Sequence, residues 1–255
     1  MARGPAVWTE TVQVRAYDCD FQDRWKPVSM LQSMQEIANK HATSLGLGFD
    51  EMVSQNQAWV LSRIKVRFFE MPRNSEVITV KTFPKGVQQK IFFMRDFLLT
   101  DPSGKLMAAA STAWLVIDFQ ARRMLLPSAL KVELPVTPGL VGLDEPLDKI
   151  VLPEKMIDLW NVVASYSTLD LMGHVNNTRY IEWATDCFSI DHFQTHQLDW
   201  LQVNYTNEVK PGEQVLLSNV QDSEDSSVWL VQGMNQAKNN RAFEAALGWS
   251  PRQTN

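Results

Sequence analysis

The same order of predicted elements occurs twice along this chain of 255 residues, and that repetition constrains the fold more than any other feature. In each half, a strand-like opening is followed by a polar loop, a helix-like run and several strand-like segments. The turns MPRNS and KPGE follow the first long strand of their respective halves. One helix followed by several long antiparallel strands, occurring twice, predicts an α+β protein built from two tandem units.

A proline-rich stretch without regular periodicity separates the two predicted units. We predict an N-terminal unit over residues 1–130, a connector over 131–155 and a C-terminal unit over 156–255. In the first unit, Ser29 and Gln32 have the spacing of a capping box, which predicts a helix start there. The predicted apolar side of that helix comprises Leu31, Met34, Ala38, His41 and Leu45. Each helix is expected to be wrapped by a curved antiparallel sheet that buries it.

The charge balance and the two cysteines narrow the classes of function. A net charge of −5 disfavours nucleic acid as the main partner, because phosphate binding needs a basic surface. The longest apolar stretch, residues 106–119, is too short to cross a bilayer. The first ten residues lack the apolar segment of a secretory signal, and Cys19 and Cys187 alone form no disulfide framework. The sequence therefore predicts a cytoplasmic protein without an integral membrane segment.

Three cations alternate with apolar residues in the stretch SRIKVRF. Arg63, Lys65 and Arg67 would share one face of a strand, because successive side chains point to opposite faces of a sheet. This row is either the solvated face of a sheet or a local docking patch for an acidic partner.

A pair of histidines in the second half has the spacing of a helical metal site. His192 and His196 stand four residues apart, but no third ligand lies nearby in the sequence. Metal binding usually needs at least three protein ligands, and the sequence therefore predicts neither a metal site nor a cofactor.

The stretch LDLMGHVNNTRYIEW, residues 169–183, holds a dense group of polar side chains. Asp170 and His174 are four residues apart, directly before a helix-like run that begins near Asn177. His174 would then face the free N–H groups at the positive end of that helix, a position suited to stabilising an oxyanion. Asn176 or Asn177 is expected to cap the helix through its side-chain oxygen. A purely structural histidine beside a capped helix is the alternative interpretation.

LDLMGHVNNTRYIEW resembles the Asp-x-Asn-x-His-Val-Asn-Asn…Tyr-Ile signature of the acyl-acyl carrier protein (acyl-ACP) thioesterases, which release fatty acids from their carrier. AWVLSRIKV in the first half is similar to the Trp-Val-Leu-x-Arg segment that these enzymes carry after their first helix. The resemblance covers nearly the whole chain. It implies two tandem hotdog units, with the acyl-chain pocket in the N-terminal unit and the catalytic residues in the C-terminal unit.

The resemblance also implies an acyl carrier protein as the partner that brings the fatty acyl chain. Because the carrier is acidic, it would dock on a local basic surface of this acidic chain. One candidate surface is the row Arg63, Lys65 and Arg67. The other is a group near the two polar loops, comprising Arg15, Arg24, Lys26 and Arg179.

Carried over residue by residue, the resemblance implies catalytic roles for Asp170, His174 and Glu208, the last within NYTNEV. Two positions depart from the family pattern. Met172 stands where the family has Asn, and Val209 stands where plant members have Cys. Because Val209 removes a thiol nucleophile and neither cysteine of the chain replaces it, we expect a water molecule activated by a carboxylate.

The substrate carbonyl is expected near the start of the second helix. Backbone N–H groups of residues 174–177 would hold the oxyanion, with Asn176 and Asn177 as the nearest side chains. The thioether of Met172 cannot donate a hydrogen bond. Either Asn176 or a backbone N–H replaces the lost amide, or activity is reduced, or the Met172 side chain widens the apolar channel. In strict strand alternation Glu208 would point away from the helix, unless a bulge or the end of the strand re-aims it. Pro27 is aligned with His174, so the first half lacks the catalytic histidine.

Two other functions fit the same sequence. One is an acyl-CoA thioesterase or hydratase on the same scaffold. The other is a non-catalytic protein that binds acyl thioesters, because Met172 stands where the family has Asn. The chain could be a monomer or a homodimer, because two fused units can already make the sheet of a hotdog dimer.

Overall fold

The computed structural model describes residues 4–252, and the chain divides into two compact units between Leu147 and Asp148. Each unit contains one antiparallel sheet, one principal helix and one short helix, as the α+β prediction requires. The boundary falls inside the stretch 131–155, for which a connector was expected, and the connector as a separate segment stays a prediction.

The first unit is a five-stranded sheet with a short extra strand. Its strands run in the order β1-β3-β4-β5-β2, every neighbouring pair is antiparallel, and β6 pairs with β5. The elements are β1 (Trp8–Gln13), α1 (Pro27–Ser44), α2 (Phe49–Ser54), β2 (Gln57–Phe68), β3 (Val77–Gln88), β4 (Phe92–Thr100), β5 (Leu106–Asp118) and β6 (Met124–Leu125).

Helix α1 forms the centre of the first unit and packs against β1 and β3. The predicted apolar side is confirmed, since Leu31, Met34, Ala38, His41 and Leu45 are all buried. The predicted start at a capping box is wrong. The helix begins at Pro27, whose fixed φ favours the first helical position, and its N-cap, Lys26, makes no side-chain capping bond.

The second unit repeats this plan with fewer residues. Its strands run in the order β8-β11-β10-β9-β7, again with antiparallel neighbours. The elements are β7 (Ile157–Val163), α3 (Asn177–Asp186), α4 (Ile190–Thr195), β8 (His196–Tyr205), β9 (Gln214–Gln221), β10 (Val228–Asn235) and β11 (Asn240–Pro251).

Helix α3 is the principal helix of the second unit, and its apolar side faces the core. Tyr180, Ile181, Trp183 and Ala184 are buried, and they follow the spacing expected of one helical face. Within residues 4–252, no helix combines the length and the apolar character needed to cross a membrane.

Candidate active site

The loop between β7 and α3 contains a tight turn that Asp170 organises. The Asp170 carboxylate accepts a hydrogen bond from the Met172 N–H at 2.9 Å, and the Asp170 N–H donates to the His174 carbonyl at 2.9 Å. Gly173 has a φ of 73°, a left-handed conformation that favours glycine. The turn thereby brings His174 to the start of α3.

The start of α3 is capped by Asn176. Its side-chain oxygen accepts hydrogen bonds from the Thr178 N–H at 2.9 Å and from the Thr178 hydroxyl at 2.8 Å. Of the two expected caps, Asn176 therefore fills the position and Asn177 is the first helical residue. His174 lies two residues before the cap, close to the N–H end of the helix as the sequence predicted.

Glu208 is placed beside His174 because β8 ends early. The last residue of β8 is Tyr205, which pairs with Phe243 of β11, and the N–H groups of Thr206 and Asn207 then both donate to the Ala242 carbonyl, which ends the regular pairing. The strand-end interpretation of Glu208 is therefore correct, and strict alternation does not apply to it. His174 Nε2 and Glu208 Oε2 lie 3.2 Å apart, with 19% of the histidine and 44% of the glutamate side chain exposed. Such a pair can exchange a proton with a bound water molecule.

Val209 fixes the loop that carries Glu208. Its carbonyl accepts a hydrogen bond from the Val175 N–H at 3.0 Å, and its side chain is fully buried. A second contact comes from Lys238, whose ammonium group lies 3.4 Å from the Glu208 carbonyl oxygen and 2.9 Å from a carboxylate oxygen of Glu213. No motif in the sequence indicated Lys238, because it lies in a separate turn after β10.

The environments of both cysteines disfavour a nucleophilic role at this site. Burial raises the pKa of the Cys187 thiol to about 12, and that thiol donates to the Trp183 carbonyl. Burial and three nearby aspartates raise the pKa of the Cys19 thiol. Because the reactive form of cysteine is the thiolate, both shifts lower the reactive fraction of these thiols at neutral pH.

Several of the backbone N–H groups that were expected to hold an oxyanion already donate hydrogen bonds within the protein. The N–H groups of Val175 and Asn176 already donate to the carbonyls of Val209 and Thr168, so they are not available to a substrate. The N–H of Met172 is likewise used by Asp170. Within residues 4–252, no hydrogen-bond acceptor contacts the N–H of Asn177 or the side-chain NH₂ of Asn176, and both lie at the positive end of α3. The roles of Asn176, Asn177 and Met172 toward a substrate stay predictions.

The first unit contains the same turn without a counterpart of the His174–Glu208 pair. The Asp20 carboxylate accepts from the N–H groups of Gln22 and Arg24, and Trp25 N–H donates to the Pro72 carbonyl as Val175 N–H does to Val209. Arg24 therefore occupies the place of His174. The predicted alignment of Pro27 with His174 is wrong by three residues, because Pro27 begins α1 where Asn177 begins α3. The conclusion that the first unit lacks the histidine is unchanged.

This comparison separates the roles of the two candidate carboxylates. Asp20 makes the same kind of turn in a loop where Arg24 replaces the histidine, so the turn alone accounts for an aspartate at this place. In the second unit the Asp170 carboxylate has a structural partner, whereas the Glu208 carboxylate faces the His174 ring. Glu208 is therefore the carboxylate that lies beside the histidine, and Asp170 is the one that holds the turn.

The three cations of SRIKVRF lie on one face of β2, as predicted, and all three have partners within the first unit. Lys65 and Arg67 form ion pairs with Glu145 at 2.6 and 2.5 Å, and Arg63 donates to the Leu147 carbonyl at 2.6 Å. A carrier protein would have to displace Glu145 to reach two of them. Their docking role stays a prediction, and these contacts favour the structural alternative.

The histidine pair of the second unit forms a stacked arrangement. The rings of His192 and His196 have centroids 4.5 Å apart and an interplanar angle of 9°, and Trp249 packs edge-on against His192. Parallel stacked rings do not direct two lone pairs at one point. Over the described residues 4–252, no group of three or more His, Cys, Asp or Glu side chains could hold a metal ion.

Comparison with known proteins indicates one family for both halves of the chain. The profile of the acyl-ACP thioesterase N-terminal domain matches residues 5–127, and that of the acyl-ACP thioesterase C-terminal domain matches residues 158–250. A palmitoyl-acyl carrier protein thioesterase of Gossypium hirsutum is 25% identical over 219 residues, which cover 79% of this chain and 52% of the relative. An oleoyl-acyl carrier protein thioesterase of Coriandrum sativum is 23% identical over 246 residues, covering 89% and 66%. The chain thus spans between about half and two thirds of the length of these relatives.

Solved structures share the fold over almost the whole chain. An acyl-ACP thioesterase from Bacteroides thetaiotaomicron has a TM-score of 0.86 at 23% identity, covering 98% of this chain and 100% of its own. The 12:0-ACP thioesterase from Umbellularia californica has a TM-score of 0.78 at 18% identity, covering 99% and 100%. These likenesses confirm the predicted α+β hotdog architecture. Because the two domain profiles together cover most of the sequence, the chain belongs to the acyl-ACP thioesterase family.

Proposed function

We propose that this protein hydrolyses fatty acyl thioesters of acyl carrier protein to free fatty acids. The observation that carries the proposal is the His174–Glu208 pair, 3.2 Å apart at the N-terminal end of α3, in a chain of this family. The pair supplies a proton acceptor and a proton donor, which hydrolysis of a thioester requires. The N-terminal unit is proposed to hold the acyl chain.

In the proposed mechanism, the Glu208 carboxylate accepts a proton from a water molecule as the water oxygen adds to the thioester carbonyl. The resulting oxyanion is held at the positive end of α3, where the N–H of Asn177 and the side-chain NH₂ of Asn176 are the available donors. The proton that Glu208 has gained passes to His174, and His174 protonates the departing thiolate as the carbon–sulfur bond breaks, so that both groups regain their initial protonation state. The products are the fatty acid and the free thiol of the carrier. Asp170 holds the turn that positions His174.

The absence of a reactive thiol supports direct attack by water. A covalent acyl-enzyme needs a nucleophilic side chain, and the position after Glu208 is occupied by buried Val209. Both cysteines are free thiols, which agrees with the proposed location in a reducing compartment such as the cytoplasm.

The direct test compares matched substrates with the purified chain. Palmitoyl and oleoyl thioesters of acyl carrier protein and of coenzyme A are incubated at equal concentration, and released fatty acid and free thiol are both measured. We expect release from the carrier thioesters with a higher kcat/KM than from the coenzyme A thioesters. Equal efficiency on both would favour an acyl-CoA thioesterase, and tight binding of the thioester without release would favour a binding protein.

A further inference from the structure

The peptide group that joins Val209 to Lys210 is held from two sides. Its carbonyl oxygen, on Val209, accepts from the N–H of Val175, the residue directly after His174, at 3.0 Å. Its N–H, on Lys210, donates to the Glu213 carboxylate at 2.8 Å. The Glu213 carboxylate therefore helps to fix the peptide by which this loop contacts the turn that carries the histidine.

The turn after β10 holds the Glu213 carboxylate in place. Buried Asn235 donates from its side-chain NH₂ to Oε2 of Glu213 at 2.7 Å, and the Lys238 ammonium group lies 2.9 Å from Oε1. The Asn235 side-chain oxygen accepts from the N–H groups of Ala237 and Lys238, which shapes the turn. The same ammonium group lies 3.4 Å from the carbonyl oxygen of Glu208. Two successive peptide groups after Glu208 are thus tied to this turn, one directly by Lys238 and the other through Glu213.

The first unit contains the corresponding loop, in which Glu76 takes the place of Glu213. Its carboxylate accepts from the N–H of Arg73, three residues earlier, at 3.0 Å. Met71 stands where the second unit has Glu208, because the next residue in each loop accepts the N–H from the turn before the principal helix. The loop therefore folds around one carboxylate–N–H bond whether or not a glutamate stands at the position of Glu208.

The first-unit loop lacks the link to the neighbouring turn. That turn follows β4 and is organised by Asp101, whose carboxylate accepts from the N–H groups of Ser103 and Lys105. An ionised aspartate has no proton to donate, so it cannot do what Asn235 does. Within residues 4–252, no side chain donates a hydrogen bond to the Glu76 carboxylate. The loop thus forms without the link, and the link is found in the unit that carries the proposed catalytic pair.

We propose that Glu213 and Lys238 are positioning residues, which tie the Glu208 loop to the turn after β10 and thereby set the His174–Glu208 geometry. The catalytic consequence rests on the proposed function, whereas the geometric part is independent of it. Without the link, the two peptide groups keep the bond to the Val175 N–H but can rotate about it. Such a rotation changes the separation of the His174 ring and the Glu208 carboxylate, which is 3.2 Å in the structure.

The test is Lys238→Met, with Lys105→Met as the matched control. Lys105 lies in the corresponding turn of the first unit and forms an ion pair with Glu70, so both substitutions remove a paired lysine from a turn. For Lys238→Met we expect kcat to fall about tenfold with KM changed by less than about twofold, and for Lys105→Met we expect the kcat of the unaltered protein. Lys238→Arg should restore kcat to within about threefold, because a guanidinium group can still donate to both oxygens. A lower melting temperature with an unchanged kcat in Lys238→Met would show a purely structural role and overturn the proposal.

The ¹⁵N shifts of the His174 imidazole make the result independent of turnover, because they report its contact with Glu208. We expect these shifts to change in Lys238→Met and to stay the same in Lys105→Met. They should also change in Glu213→Gln, which keeps an oxygen for the loop N–H but loses the charge that attracts Lys238.

The Lys238 side chain is 35% exposed, so its replacement should not unfold the protein. Unchanged imidazole shifts in folded Lys238→Met would overturn the proposal, whether or not Glu213→Gln folds. If the unaltered protein hydrolyses no thioester, the proposed function fails, and the imidazole shifts still decide the positioning role.

Discussion

The buried His41 in the first unit should make the stability of the protein sensitive to mild acid. Its Nε2 lies 2.8 Å from the Pro5 carbonyl oxygen, and its Nδ1 lies 2.9 Å from a guanidinium nitrogen of Arg95. Nε2 therefore donates and Nδ1 accepts, which describes a neutral imidazole. Burial and the positive charge of Arg95 lower the pKa of His41 to about 4, from the ordinary 6.5. Protonation would place a second cation against the guanidinium.

The sign and size of the effect follow from the two pKa values of His41. In the unfolded chain the imidazole gains a proton near pH 6.5, and in the folded chain only near pH 4. Between these values the unfolded state binds more protons, so stability falls as the pH falls. The free energy of unfolding should decrease by about 2 kcal/mol from pH 7 to pH 5 through this group, and by about 3 kcal/mol once the pH is below 4.

Urea unfolding at a series of pH values tests this reasoning, with His41→Gln as the comparison. Glutamine can still donate to the Pro5 carbonyl and accept from Arg95, but it does not titrate in this range. We expect the variant to be less sensitive to acid than the unaltered protein by about 2 kcal/mol between pH 7 and pH 5. Parallel curves for the two proteins over that range would refute the assignment of a neutral, buried His41.

Three further outcomes follow from the second unit. Cys187 should resist alkylation at pH 8 in the folded protein and react only on unfolding, because a pKa of about 12 leaves roughly one molecule in 10⁴ as thiolate. Rapid alkylation of Cys187 under native conditions, detected by mass spectrometry, would contradict its burial. Gly248→Ala should lower the free energy of unfolding by about 1–3 kcal/mol in urea titrations, because the added methyl group would overlap the Trp200 indole, and a neutral change would show that the indole can move. Met172→Asn should raise kcat at least about tenfold if an amide donor is missing, since one oxyanion donor contributes roughly 10²–10³; an unchanged kcat would mean that the existing donors suffice.

The parts of the fold that follow local periodicity could be predicted from the sequence. The two-unit plan, the apolar side of α1 and the placement of His174 before a capped helix all follow from spacing within a few residues. The start of α1 was predicted wrongly, because Ser29 and Gln32 have a capping spacing but Pro27 takes the first helical position.

Contacts between distant segments could not be predicted from such local patterns. The row containing Lys65 and Arg67 was correctly predicted to share one face, but Glu145 lies in a stretch without periodicity, so its ion pairs had no signature. The alignment of Pro27 with His174 failed because it relied on local similarity, whereas the hydrogen bonds of the two turns identify Arg24 as the counterpart.

The most direct test of the central claim is the single-turnover rate of Glu208→Gln on an acyl-ACP thioester, measured with excess enzyme. Glutamine preserves the shape of the side chain but cannot accept the proton of water, so we expect the rate to fall by about 10²–10⁴. Glu182→Gln is the matched control, because Glu182 on α3 makes an ion pair with Arg179 and has a similar exposure. A large loss in Glu208→Gln with a normal rate in Glu182→Gln is the predicted result, and a normal rate in both would contradict hydrolysis by the His174–Glu208 pair.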